Sequence, residues 1–290
     1  MSEVKIVTIV TETKYYLPYL QDTIKQNNNN LVILGYGEKW QGFSWKYKLM
    51  IDYLKTLKYN DIVCFVDGYD VICTRNLNEL PNVFLKLKKE HNCKIIVGFE
   101  RHTNTIFKYA AGMYFGQCKN MPLNSGTYIG YSKDLLEIII SMYNLNDPLK
   151  DDQVLMNEYC IKKPNTIYID SKSEIFLTIC NTYSNIELNN ELIIKNKKVF
   201  YNNYQPFFIH GFGNSYMDNI LISLEYKNVN VSNDIKNGFY SNLKYKIYSF
   251  IYNNYFYFII IFLFFILYMI FIKINNKKKK GKAINKRIYN

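Results

Sequence analysis

Short apolar runs alternate along this chain with stretches whose apolar positions recur three and four residues apart. "KIVTIVT" at 5–11 predicts a first strand, 15–26 a short helix, and "LVILG" at 31–35 a second strand beyond the polar link Asn27 to Asn30. Residues 45–57 put Leu49, Met50, Tyr53, Leu54 and Leu57 on one helical face. "DIVCFVD" at 61–67 is apolar without alternation, as expected of a strand covered on both faces. Leu77, Leu80, Phe84 and Leu87 form the next helical stripe, and "KIIVGFE" at 94–100 the next strand. Strands alternating with helices predict a doubly wound α/β domain, in which ligands bind beyond the carboxyl ends of the strands. The second half is less regular. Strands are expected at 124–132, 166–170 and 206–214, helices at 133–145 and 151–161, and a surface excursion at 181–205. The domain is expected to occupy 1–225 and a connector 226–246.

The end of the chain changes the picture. From Tyr255 to Ile272, "YFYFIIIFLFFILYMIFI" carries no charge, and the uncharged stretch reaches back to Ile247. Eighteen helical residues would rise ~27 Å, close to the thickness of a bilayer's hydrocarbon core. The expectation is a transmembrane helix over 247–272 and a basic tail over 273–290. With no apolar leader before the domain, a single-pass, cytosol-facing arrangement on an internal or virion-type membrane follows. The net charge of +12 is then the tail's: eight basic residues and no acid follow Ile272. The folded part is close to balanced, which argues against nucleic acid as a partner. Six scattered cysteines without a CxxC pair read as buried free thiols.

Candidate chemistry starts at "CFVDGYDVIC", residues 64–73. In an extended strand Asp67 and Asp70 would stand about 10 Å apart, too far to share an ion. The chain must turn between them, and Gly68 makes a tight turn cheap. His210, at the end of another apolar run, adds an imidazole. Carboxylates with one histidine and open positions suit Mn²⁺ or Mg²⁺ held partly by a substrate's phosphates.

Five stretches in chain order carry a resemblance: "LGYGEKWQG" (34–42), "FVDGYDVI" (65–72), "LNSGTYIGY" (123–131), "DDQ" (151–153) and "IHGFGN" (209–214). Over roughly 4–222 the chain resembles the glycosyltransferase domain of the procollagen lysyl hydroxylase/glycosyltransferase family. That resemblance implies a Rossmann-like GT-A fold, a UDP-sugar donor and Mn²⁺. By position, Asp67, Asp70 and His210 match the family's metal ligands, and Tyr69 the tyrosine that stacks on uracil. Trp40, Lys46 and Gly211 fall among its nucleotide-site residues. Glu100 matches its acceptor-side glutamate, and Asp151, Asp152 and Asn124 its donor-sugar pocket. Three departures stand out. Phe212 replaces the family's asparagine after the His-Gly pair, "ERHTNTIF" lacks its tryptophan, and the acidic run is shortened to two aspartates.

The resulting expectation is a membrane-anchored, metal-dependent transferase moving glucose or galactose from a UDP-hexose. Its acceptor would be a hydroxylysine, a collagen-like protein or a glycan. A catalytically impaired nucleotide-sugar or glycan binder at a membrane is the alternative, favoured by Phe212. A metal-dependent phosphohydrolase is weaker, since no water-activating cluster is evident.

Overall fold

The computed structural model describes residues 4–101, 112–143, 150–179, 192–213, 215–235 and 261–273. Its strands are β1 (Lys5–Ile9), β2 (Leu31–Leu34), β3 (Ile62–Val66), β4 (Val71–Cys73), β5 (Ile95–Phe99), β6 (Leu123–Tyr131), β7 (Ile167–Asp170), β8 (Phe176–Thr178), β9 (Leu192–Lys195), β10 (Lys198–Tyr201) and β11 (Phe208–His210). The helices are α1 (Leu17–Gln26), α2 (Phe43–Leu54), α3 (Leu80–His91), α4 (Ser132–Met142), α5 (Asp152–Lys162) and α6 (Asp218–Ser223).

The main sheet runs β2-β1-β3-β6-β5-β7. Alternate side chains of its strands feed two cores, the period-2 consequence of the pleat. Val7, Ile9, Val63, Phe65 and Val97 pack under α2, α4 and α5. Ile6, Cys64, Val66, Ile96 and Ile129 pack under α1, α3 and a small second sheet. That sheet, ordered β4-β11-β8, places His210 opposite Val71. The apolar run at 61–67 is therefore buried on both faces, as expected.

One strand departs from a purely parallel pattern. β6 runs antiparallel to both its neighbours, β3 and β5. Periodicity marks a strand but not its direction. β6 also slips against β5: Val97 pairs with Tyr128, whereas Gly98 pairs with Asn124. Ser125, Gly126 and Thr127 are thereby released from β5 while Gly126 still holds the end of β3, its carbonyl accepting from the Asp67 amide at 2.8 Å. Such irregularities re-aim side chains at strand ends. Within the expected surface excursion, β9 and β10 form an antiparallel hairpin.

Two expectations are corrected here. Cys118 and Cys160 form a disulfide across 42 residues, with Cα atoms 5.7 Å apart. The packing of α5 beside the segment before β6 brings into bridging range two residues whose sequence spacing signalled nothing. Closing a loop of that length is worth about 4 kcal/mol in the chain-entropy account. Cys64, Cys73 and Cys93 are buried free thiols as expected, and Cys180 lies outside the described residues.

The second correction concerns the anchor. The chain divides into two units, Met1–Asn233 and Asp234–Asn290. In the second, residues 261–273 are helical with exposed apolar side chains. Among the described residues no helix is long and apolar enough to cross a membrane. The expected transmembrane helix, the lipid bilayer as partner and the single-pass localisation therefore lack support. Residues 247–260 of the apolar run lie outside the described residues.

Candidate active site

The site lies where β3 and β11 end and the antiparallel β6 begins. Past Val66 the chain bends over 68–70 and returns as β4, which folds Asp70 back beside Asp67. Gly68 serves this bend by close approach rather than by a left-handed backbone. A Cβ there would lie 2.2 Å from Val10 Cγ1 and 2.8 Å from Thr8 Oγ1. The ligand atoms of Asp67, Asp70 and His210 all fall within 4.8 Å of one another. His210 Nε2 is 3.3 Å from Asp70 Oδ2 and 3.9 Å from Asp67 Oδ2. Asp70 Oδ1 is buried without a hydrogen-bond partner. A buried carboxylate oxygen left unsatisfied is costly, and hard oxygens with one imidazole suit a divalent cation. These residues fit a metal. Burial lowers the proton affinity of His210, but the Asp70 and Asp67 carboxylates outweigh it and raise its pKa.

A glycine makes this convergence possible. A Cβ on Gly126 would stand 2.3 Å from His210 Cε1 and 2.5 Å from Asp67 Oδ2. Gly211 follows His210, and its N–H donates to the Asp70 carbonyl at 2.8 Å, which ties β11 to the bend.

Lys46 links this half of the site to an acidic half. Its ammonium donates to Asp67 Oδ1 at 2.9 Å and to Asp152 Oδ2 at 2.7 Å. Burial disfavours its charge, yet Asp152 and Asp67 raise its pKa above the usual lysine range. Ser125 donates to Asp152 Oδ1 at 3.1 Å, and Tyr47 to the Asp152 carbonyl. Asp151 caps α5, accepting from the Gln153 and Val154 amides at 2.8 and 3.4 Å. Burial and neighbouring Asp152 push its carboxyl up to about 6 against those two amides.

Glu100, just past β5, is buried and held by two amides. Asn124 Nδ2 donates to Glu100 Oε2 at 3.3 Å, and Gln153 Nε2 donates to the same oxygen. Of the residues expected in the site, Asp67, Asp70, His210, Lys46, Asp151, Asp152, Asn124 and Glu100 thus form one connected cluster. Tyr69 sits at its edge. The Tyr69 hydroxyl accepts from the Thr11 amide at 3.1 Å, and Lys14 Nζ lies 4.7 Å from its ring centre. Trp40 stands apart, 48% exposed in the loop between β2 and α2, edge-on to Phe43 and Trp45. Phe212 lies edge-on to His210 with centroids 6.3 Å apart. Gln153, Ser125 and Gly126 were not singled out in the sequence, though "NSG" and "DDQ" contain them.

A family model described as the PLOD GT domain matches residues 1–233. The chain belongs to that family. Two curated relatives are each 26% identical, over 235 and 241 residues. They are a multifunctional procollagen lysine hydroxylase and glycosyltransferase of Caenorhabditis elegans and a procollagen-lysine,2-oxoglutarate 5-dioxygenase of Drosophila melanogaster. Each alignment covers 74% of this chain and 31% of the relative, so the chain spans about a third of their length. Among solved structures, a glycosyltransferase involved in glycosylation of the major capsid of PBCV-1 aligns with a TM-score of 0.45 and 12% identity, over 77% of this chain and 98% of that one. As a PLOD GT domain, the chain places its Asp-Asp-His cluster at the strand ends where an α/β sheet binds ligands.

Proposed function

We propose that this PLOD GT domain has a GT-A fold and transfers a hexose, glucose or galactose, from a UDP-sugar to a hydroxyl of a collagen-like protein or a glycan. The observation that carries the reading is the Asp67–Asp70–His210 cluster with its orphaned Asp70 oxygen, set against an acidic wall. Asp67, Asp70 and His210 would hold Mn²⁺ or Mg²⁺. When bound, the ion supplies Lewis-acid charge against the diphosphate that leaves the sugar.

The rest is the work of this chain's own side chains. Lys46 keeps a buried positive charge between Asp67 and Asp152, beside the place where the diphosphate develops charge. Tyr69 offers its ring to the base from a position its hydroxyl fixes on the 11–12 backbone. Trp40 and Gly211 complete the nucleotide side. Asp151 and Asp152 face the donor sugar from the start of α5. Glu100, held by two amides, orients the acceptor hydroxyl and receives its proton.

The test is UDP release from a panel of UDP-sugars with and without Mn²⁺. Turnover of UDP-glucose or UDP-galactose that needs the metal and is lost in Asp67→Ala is expected. Nucleotide-sugar binding without turnover would overturn the enzyme and leave the binder that Phe212 favours. Phosphate release from UDP in place of sugar transfer would move the reading to a phosphohydrolase.

A further inference from the structure

The side chain of Asn124 faces both halves of the site at once. Its Oδ1 accepts from the Gly126 amide at 3.1 Å, which fixes that atom as the oxygen. The same Oδ1 lies 2.9 Å from His210 Nδ1. An oxygen with no proton to give requires the imidazole to donate there, so Nδ1 carries the hydrogen and Nε2 is turned toward Asp70 and Asp67. The other end of the amide, Nδ2, donates to Glu100 Oε2 and approaches Gln153 Oε1 at 3.4 Å. Asn124 itself is buried at 3% exposure, between a buried Glu100 and a buried His210. Neither end can turn to water, and flipping the amide would set its N–H₂ against the Gly126 N–H and its oxygen against Glu100 Oε2.

We propose that Asn124 is a positioning residue: one amide fixes the tautomer and orientation of the metal-ligand histidine and, with Gln153, the orientation of Glu100. The inference rests on the metal-dependent reading above and deepens it. Partners that hold the second nitrogen of a ligand histidine set ligand geometry and basicity, and their loss costs 10–100-fold in metal affinity or activity. Coupling both halves through one side chain means that a single substitution can separate them. Asn124→Asp keeps an acceptor for His210 Nδ1–H but removes the donor to Glu100 and sets a second carboxylate against it. Asn124→Ala removes both contacts. Gln153→Ala removes only the second donor to Glu100.

The experiment is a Mn²⁺ titration of the full chain followed by electron paramagnetic resonance of free Mn²⁺, with UDP release measured alongside and thermal melting as a fold control. Mn²⁺ affinity is expected to fall about 10–100-fold in Asn124→Ala, and to stay within about threefold of wild type or rise in Asn124→Asp. In Gln153→Ala Mn²⁺ affinity should hold while kcat drops and KM for the UDP-sugar changes little. Wild-type Mn²⁺ affinity in a folded Asn124→Ala overturns the inference and leaves the proposed function standing. Wild-type protein that binds no Mn²⁺ overturns both. Loss of Mn²⁺ binding in Asn124→Asp as in Asn124→Ala would mean that the acceptor oxygen is not what matters, and the inference fails.

Discussion

The two halves of the site treat their carboxylates differently. In the acidic half each acid is already answered by the protein: Asp152 by Lys46 and Ser125, Glu100 by Asn124 and Gln153, Asp151 by the amides of its own helix. In the metal half Asp67 is answered by Lys46, but Asp70 keeps a buried oxygen with no partner while its other oxygen lies 3.3 Å from His210 Nε2. A buried carboxylate oxygen without a partner calls for an explanation, and a ligand that reaches it is one. On the proposed reading, the contrast separates the side that would hold a cation from the side that would aim groups at a substrate.

The most damaging way to break that contrast is to empty the metal half. Asp70→Ala should abolish Mn²⁺ binding and metal-dependent UDP release while melting changes little, since relief of the costly unpaired oxygen offsets the lost Oδ2 contact to His210; full turnover in that variant would refute the metal assignment. Cutting the bridge comes next. Lys46→Met leaves Asp67 and Asp152 without their shared cation, which should cost about 3–5 kcal/mol in urea denaturation. A second change, Asp152→Asn, should recover part of that loss, and no recovery would mean that the ion pair is not its source. Gly126→Ala tests how tightly the halves are drawn together. Its methyl would overlap His210 and Asp67, so stability should fall by about 1–3 kcal/mol and Mn²⁺ affinity should fall with it. A variant with unchanged Mn²⁺ affinity would show that the strand end gives way.

The smallest effect is in the acidic half and depends on pH. In the metal-free protein the Asp151 carboxyl titrates near 6 when folded, against an ordinary 3.8 when unfolded. Between those values the native state holds a proton that the unfolded state has lost. Stability from this group therefore falls as pH rises through the window, and the whole loss is present above pH 6. Partial exposure of the side chain reduces the effect to about 1 kcal/mol. Asp151→Asn should flatten the stability profile between about pH 4 and 6; an unchanged slope would remove Asp151 from the account.

Much of the fold was legible because burial leaves a local record. The apolar run at 61–67, the helical stripe through Leu80, Phe84 and Leu87, and the strand at 94–100 all lie where the periodicity put them. The reversal of β6 was not legible, because an antiparallel strand buried on both faces has the same composition as a parallel one. The apolar run at the end of the chain misled for a related reason. Composition records what a segment could bury, not the helix it forms, and among the described residues no helix is long and apolar enough to cross a membrane.

The candidate site divides in the same way. The sequence by itself determined the residue types and their place at strand ends: Asp67 and Asp70 after β3, His210 closing β11, Glu100 after β5, Asp151 and Asp152 at the start of α5. Only the tertiary structure decided that Gln153 and Asn124 grip one oxygen of Glu100, that Lys46 is spent on two carboxylates, that Gly126 must lack a side chain, and that Cys118 meets Cys160. Each of these contacts joins residues from different elements, the glycine's included, since His210 and Asp67 come against Gly126 from β11 and the end of β3. Hydrogen bonds and close approaches are set by positions in space to a few tenths of an ångström, and a pattern read along one chain carries no measure of that distance.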